Sequence, residues 1–307
     1  AKTEVTVNSG AVTVTGAGDE ANATGVNADA HEGGSVDVKT GTVTAISYYG
    51  QSTGINATTS GGGTVTVNTG TVNSSTRSES KGVYVENTGG SIVVTTGAVV
   101  SNSSSNNGRA YGASISGRSG TTTVNTGSIS VDSERYAEGI HASSFASQDN
   151  HETLVNITTG SIQAIGGENN KGVVVSAQGS MGTSSLDLTV NGSVNTSGTG
   201  VDVSAGNSNV AEITVTQDIN AGNTAVLLFK DSDQASLKLE VDGTISGKEH
   251  NIVIEESSTT EGIDITVWKV DTSDGKEVIA QKDNVGYFIP ENAAEIVNYI
   301  IKVEGNL

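Results

Sequence analysis

Apolar and polar residues alternate with a period of two in short runs, and the runs recur along the chain. The clearest is Val65-Thr-Val67-Asn-Thr-Gly70-Thr-Val72. Near copies are Val5-Thr-Val7-Asn-Ser-Gly10-Ala-Val12, Val36-Asp-Val38-Lys-Thr-Gly41-Thr-Val43, Ile92-Val-Val94-Thr-Thr-Gly97-Ala-Val99, Thr122-Thr-Val124-Asn-Thr-Gly127-Ser-Ile129 and Val155-Asn-Ile157-Thr-Thr-Gly160-Ser-Ile162. Shortened copies follow at Leu188-Thr-Val190-Asn-Gly192-Ser-Val194 and Leu239-Glu-Val241-Asp-Gly243-Thr-Ile245. Midway between them falls a second motif: Gly25-Val-Asn-Ala28, Gly54-Ile-Asn-Ala57, Gly82-Val-Tyr-Val85, Gly112-Ala-Ser-Ile115, Gly139-Ile-His-Ala142, Gly172-Val-Val-Val175 and Gly200-Val-Asp-Val203. Two motifs that keep step over so many copies, at a period of roughly 29 residues, mark a repeat architecture.

The alternation places Val65 and Val67 on one side of a strand and Thr66 on the other. The Gly that follows suits a corner needing a positive φ or close backbone approach. A second short strand starts beyond it, as in Val12-Thr-Val14, Val43-Thr-Ala45 and Ile129-Ser-Val131, and the Gly-Val-x-Val motif supplies a third. Such a three-strand unit, with Val, Ile, Ala and an occasional Ser or Thr turned inward, buries its apolar face only by stacking on its neighbours. The pattern therefore predicts an all-β fold, a right-handed parallel β-helix over residues 1–261. This solenoid has about nine coils of roughly 29 residues and a length of about 40 Å. The drift in the period sits in polar stretches such as 73–80 and 101–108, which read as loops outside the coil.

From about Gly262 the repeat is expected to stop. The single Trp (Trp268), the single Pro (Pro290), Tyr287, Phe288 and Tyr299 all fall in residues 262–307. Ile263-Asp-Ile-Thr-Val-Trp-Lys-Val270 alternates as a strand, Ser273-Asp-Gly275 signals a turn, and Glu277-Val-Ile-Ala-Gln281 is expected to return as a hairpin. Residues 291–297, after Pro290, suit a short helix, and Tyr299-Ile-Ile-Lys-Val303 a final strand. The segment reads as a small C-terminal cap or accessory unit. At the other end Val5-Thr-Val7 is already in register, as expected of a fragment of a larger protein.

Composition fits a narrow coil. Only 34% of residues are hydrophobic and 4% aromatic, too few for a thick globular core, while 40 Gly serve corners and close approaches. The net charge of −19 repels phosphate backbones, so no nucleic acid is expected as a partner. No apolar run approaches the ~18 residues of a membrane helix, so no direct membrane insertion is expected. The absence of Cys removes disulfides, thiolate metal sites and a Cys nucleophile.

Candidate chemistry is sparse. Asp132, Glu134, Arg135 and Glu138 make the best local cluster for acid–base work. Aligning the second motif stacks Lys81, Tyr111, Glu138 and Lys171 in consecutive coils, which reads as a solvated ladder with Glu138 paired to Lys171. Asp37, Asp187 and Asp202 read as isolated. The four His are scattered, with His141 outward on a repeat strand, and none has a second ligand at metal spacing. Asn8, Asn68, Asn125 and Asn191 share a motif slot and suggest a corner hydrogen-bond ladder. Thr6, Asp37, Thr66, Val93, Thr123, Asn156 and Thr189 read as one outward slot, too mixed for a flat Thr lattice. No catalytic residue, metal site or cofactor is implied. The distinctive outward feature is aromatic and cationic: Tyr48, Tyr49, Tyr84, Tyr111, Tyr136 and His141, accompanied by Arg77, Arg109 and Arg135. Stacking of coils two to five would line these residues along one edge, the composition of a sugar- or protein-binding patch.

The phased Val-x-Val-Asn-Thr-Gly-Ser-Ile and Gly-Val-x-Val copies, with Ser/Thr/Asn-rich turns and no Cys, resemble bacterial surface adhesins, and in particular the β-helical passengers of autotransporter and haemagglutinin-like proteins. The likeness covers residues 1 to about 260 as a pattern and carries over no functional residue. It implies a non-enzymatic extracellular or cell-surface bacterial protein, an adhesin or stalk segment. The expected partners are a host surface protein or glycan, or sister molecules through self-association. A carbohydrate-active β-helix, lyase or hydrolase, is the alternative.

Overall fold

The computed structural model describes residues 3–146, 152–167, 169–179, 182–255, 263–271, 279–281 and 299–303. These form an all-β parallel solenoid of about 9 turns with ~29 residues per turn, without a helix among the described residues. Each of the first eight turns contributes three strands. The third turn, for example, is built from Gly63–Asn68, Val72–Thr76 and Glu79–Asn87. Every strand pairs in parallel with its counterpart one turn along, so Val65 lies between Val36 and Ile92. Third strands make a ten-stranded sheet from Ala23–Ala30 to Ile279–Gln281. In the ninth turn one long strand, Ser236–Gly247, pairs with both Val210–Val215 and Ile219–Ala221 and so runs through the first two positions.

The core follows the alternation. Val65, Val67, Val72, Ile55, Val83 and Val85 are fully buried, as are Ile92, Val94, Val99, Ala113 and Ile115 in the turn that follows, whereas Val36 one turn back is only partly buried and Val5 and Val7 at the first turn are exposed. The described Tyr and Phe side chains stay outside, because the narrow coil is filled by aliphatic residues, Val, Ile and Ala with Leu in the later turns. Hydroxyls line the inside of the corner between second and third strands. There Ser52 meets Ser74 at 2.6 Å, and Ser80 bridges Ser74 and Ser101 at 2.9 Å each, so each of these four hydroxyls has a partner.

The two glycine motifs have different causes. From Gly10 to Gly160 the corner Gly residues of the first motif do not adopt positive φ; they stack on one another, with an alanine Cβ at Gly127 lying 2.9 Å from the Gly97 carbonyl carbon. The Gly of the second motif points into the core. A Cβ on Gly82 would sit 2.2 Å from Val99 Cγ1 and 2.6 Å from the Gly112 carbonyl oxygen. Gly82 and Val83 are both buried, so the in–out alternation slips by one residue at each such Gly. Lys81 and Tyr84, three apart, therefore both face outward.

Three sequence expectations change. Ile263–Val270 does not open a hairpin with residues 277–281; it pairs in parallel with Ser236–Gly247, while Ile279–Gln281 pairs with His250–Ile254 and Tyr299–Val303 with Ile263–Val270. The solenoid therefore continues past residue 261. The helix expected over 291–297 lies outside the described residues. The Asn slot is no Asn ladder, because Asn8, Asn68 and Asn125 alternate with Lys39 and Thr95 along the stack. Asn-on-Asn bonds form elsewhere, between Asn56 and Asn27 and between Asn220 and Asn195. Lastly, the shortened copy registers two residues away from its expected alignment. Asp187, rather than Thr189, stands beside Asn156 in the outward slot.

Candidate functional site

The turns joining second to third strands stack into one edge of the solenoid, and the third strands carry an outward face beside it. Tyr48 and Tyr49 occupy this turn in the second coil, about half exposed, with ring centroids 4.4 Å apart in an edge-on pair. Arg77, from the same turn one coil along, lays its guanidinium 4.7 Å from the centre of the Tyr48 ring and 5.8 Å from that of Tyr49. Cation–π attraction of this kind fixes an exposed cation without neutralising it.

A second group lies two and three coils further on. Arg109 and Tyr136 are register partners that start adjacent third strands, with the Arg109 guanidinium 5.8 Å from the Tyr136 ring. Tyr111 stands edge-on to Tyr136 at 6.1 Å and to His141 at 6.4 Å. Arg135 is exposed in the turn before Tyr136 and donates to Asn107 Oδ1 at 3.1 Å. Tyr84 belongs to a third group, with Lys81 Nζ 4.9 Å from its ring centre and its hydroxyl donating to Glu86 Oε2 at 2.9 Å. Burial, followed by that contact with Glu86, pushes the Tyr84 hydroxyl up to about 12. All eight residues expected in the patch thus face outward on neighbouring turns, divided among three contact groups.

Glu138 is the main correction at this site. The column Lys81, Tyr111, Glu138, Lys171 is in the expected register, yet it is not a solvated ladder. Glu138 is 1% exposed and does not pair with Lys171. Its carboxylate accepts from the Tyr136 hydroxyl and from His141 Nδ1, the latter at 2.8 Å. Lys171 reaches the other way, to Asp202 Oδ2 at 2.6 Å, which also ends the reading of Asp202 as isolated. The physical reason is the glycine slip: it turns Glu138 and His141 to one face, and with Tyr136 on the same strand and Tyr111 as the register neighbour they close over the carboxylate. Burial first, and then Glu138, raise the Tyr136 and Tyr111 hydroxyls above the ordinary phenol range. Asp132 remains exposed on the second strand and Glu134 in the turn, so the acidic cluster read from the sequence does not converge on Glu138. The spacing Tyr-x-Glu-Gly-x-His was the available signal, and it meant burial rather than solvation.

Asp187 also departs from expectation. It stands directly beside Glu212 in the outward column, with Lys238 one turn further along. Burial, followed by repulsion from Glu212, raises its carboxyl above the ordinary range, and Lys238 partly opposes this. A raised folded-state value means that the folded protein holds this proton more tightly than the unfolded chain. The charge therefore opposes folding at neutral pH, and relief comes as pH falls through the raised value. Asp187→Asn is expected to add about 0.5 kcal/mol of stability at pH 7 in low salt, the scale of a cross-strand pair, with the gain shrinking at acid pH and in high salt. Urea unfolding midpoints measured across pH check this.

Further along the same edge the bulky side chains give way to Gly166, Gly167 and Ser197. Two shallow depressions of about 560 Å³ and 460 Å³ adjoin there and share Ser197, with Asn223 and Glu249 closing the first and Ile165 and Asn195 lining the second. Sequence reasoning missed them; the replacement of Tyr and Arg by Gly and Ser in equivalent turns was the signal. Among the described residues no group of three His, Asp or Glu is placed to hold a metal ion. The fold and this edge define a parallel β-solenoid with an aromatic–arginine surface. Comparisons with protein-family models, curated proteins and solved structures find no match to the chain.

Proposed function

We propose that this chain is a non-enzymatic, extracellular segment of a bacterial surface protein, an adhesin or stalk. On this reading the rigid solenoid presents its aromatic–arginine edge to a glycan or protein of a host surface, or to sister molecules. The observation that carries it is the gathering of exposed Tyr48, Tyr49, Arg77, Arg109 and Arg135, with Tyr111, Tyr136 and His141, along consecutive turns of one edge. Large amphipathic rings and arginines on a preordered backbone provide contact area with little ordering on binding.

The test is binding of the purified chain to arrayed glycans and to immobilised host-surface proteins. Changing Tyr48→Ala and Tyr49→Ala together is expected to weaken binding about tenfold or more, as loss of a hot spot does. Undiminished binding by that variant would place the contact elsewhere and sink the proposal.

A carbohydrate-active enzyme is the second reading, favoured by the enclosed Glu138 with Tyr136 and His141 beside exposed Arg109. Release of oligosaccharide products by the unaltered chain, abolished in Glu138→Gln, would replace the first reading with this one.

A further inference from the structure

Two sets stand out among the described cations of this strongly acidic chain, apart from Lys230, which is buried with its Nζ donating to the Ser232 and Ala235 carbonyls. Lys39, Lys81, Arg118, Lys171 and Lys238 each contact a carboxylate, at 3.4 Å from Asp37, 2.9 Å from Glu79, 4.0 Å from Glu86, 2.6 Å from Asp202 and 3.9 Å from Glu240 respectively. Arg77, Arg109 and Arg135 contact none among the described residues. Their partners are instead the faces of Tyr48 and Tyr49 for Arg77, the face of Tyr136 and the Tyr111 hydroxyl for Arg109, and the Asn107 carboxamide for Arg135. These three are exposed, lie on turns three to five of one edge, and make up three of the four arginines in the sequence. With 34 acidic residues to draw on, three neighbouring guanidiniums without a carboxylate partner leave an anion-binding surface open.

Resting on the binding role proposed above, we infer that this edge recognises an anionic glycan, an oligosaccharide whose carboxylate or sulfate groups meet Arg77, Arg109 and Arg135 while its sugar rings lie against Tyr48, Tyr49, Tyr111 and Tyr136. Three observations select this chemistry. The guanidiniums are spaced along the edge and interrupted by acids, Glu79 held by Lys81 and Glu134 in the turn beside Arg135, which suits charges set apart on successive sugars. A densely charged polyphosphate would meet those acids and the −19 field of the whole chain. A peptide adding as a strand finds no free backbone edge here, because the third strands of these turns pair on both sides.

The experiment is an array of matched oligosaccharides in neutral, carboxylated and sulfated forms, probed with the full chain at two salt concentrations. Acidic peptides and single-stranded DNA are included as competitors. Binding is expected to favour the anionic forms, to weaken with salt, and to fall roughly tenfold in Arg109→Gln and in the pair Arg77→Gln with Arg135→Gln, the scale of a charged hydrogen bond. Arg118→Gln, which removes a cation already held by Glu86, is expected to bind as the unaltered chain does. Glu134→Gln is expected to strengthen binding. A preference for carboxylated over sulfated forms, or the reverse, supports the inference and identifies the anion. Neutral sugars bound equally well, with the arginine variants unaffected, would overturn the inference while leaving the adhesive role intact. Preferential capture of acidic peptide or DNA would overturn the glycan assignment. Failure to bind any arrayed glycan or host-surface protein would remove the underlying role as well. The substituted side chains are exposed, and a circular-dichroism spectrum matching that of the unaltered chain establishes that each variant is folded.

Discussion

Gly112→Ala is expected to destabilise the solenoid by about 2 kcal/mol, while Gly10→Ala leaves it nearly unchanged. Both substitutions add one methyl group to a repeat glycine, and only the surroundings differ. A Cβ on Gly112 would lie 2.2 Å from Ile129 Cγ2, 2.5 Å from the Gly139 carbonyl oxygen and 3.1 Å from Val131 Cγ2. Neither the carbonyl nor the Ile can withdraw freely. The first belongs to the next turn's backbone and the second is buried in a column between Val99 and Ile162. At Gly10 nothing lies within 4 Å. Because the same contact recurs at Gly54, Gly82, Gly139 and Gly172, the strain of one substitution finds no slack in the adjoining turns. Urea midpoints with unchanged slopes read the difference, and equal midpoints for the two variants would falsify this account of the second motif.

That contrast also shows what the sequence made legible. Alternation of period two reveals which residues of Val65-Thr-Val67 face inward, and phased copies reveal the stacking; both follow from local backbone geometry. The role of Gly112 does not follow locally, since the atoms that exclude a Cβ belong to residues 129, 131 and 139. The burial of Glu138 is hidden from the sequence for a related reason. A carboxylate on an outward column is solvated by default, and its burial arises from rings at Tyr111 and Tyr136 whose contacts cross turns. At the far end, Ile263-Asp-Ile-Thr-Val267 lacks the glycine corner that marked earlier turns and so looked foreign to the repeat. Ser236–Gly247 had already run through that corner as one strand, and the next turn follows it. The edge residues were nameable because Tyr and Arg are conspicuous in a chain of small residues. Which arginines lack a carboxylate was not, because each ion pair depends on a side chain from its own strand or the next turn.

Ile162→Ala is expected to cost about 3 kcal/mol, the range for deleting a fully buried Ile whose neighbours close only partly over the gap. Ile129 and Val194 stand one turn to either side of Ile162 in the same column, held at fixed spacing by the ladder, so collapse along the stack is restricted. The site offers a sharper test than the single loss. A Cβ on Gly139 would lie 2.3 Å from Ile162 Cγ2 and 2.4 Å from the Gly172 carbonyl oxygen. Truncating Ile162 removes the first clash and leaves the second. Gly139→Ala should therefore be less damaging in the Ile162→Ala background than alone, with a favourable coupling of about 1 kcal/mol and incomplete rescue. Strict additivity would mean that the side chain of Ile162 does not set the space at Gly139. Complete rescue would mean that the carbonyl of the next turn does not. Partial rescue is the outcome in which both surfaces, one from the second strand and one from the stacked third strand, keep this position glycine.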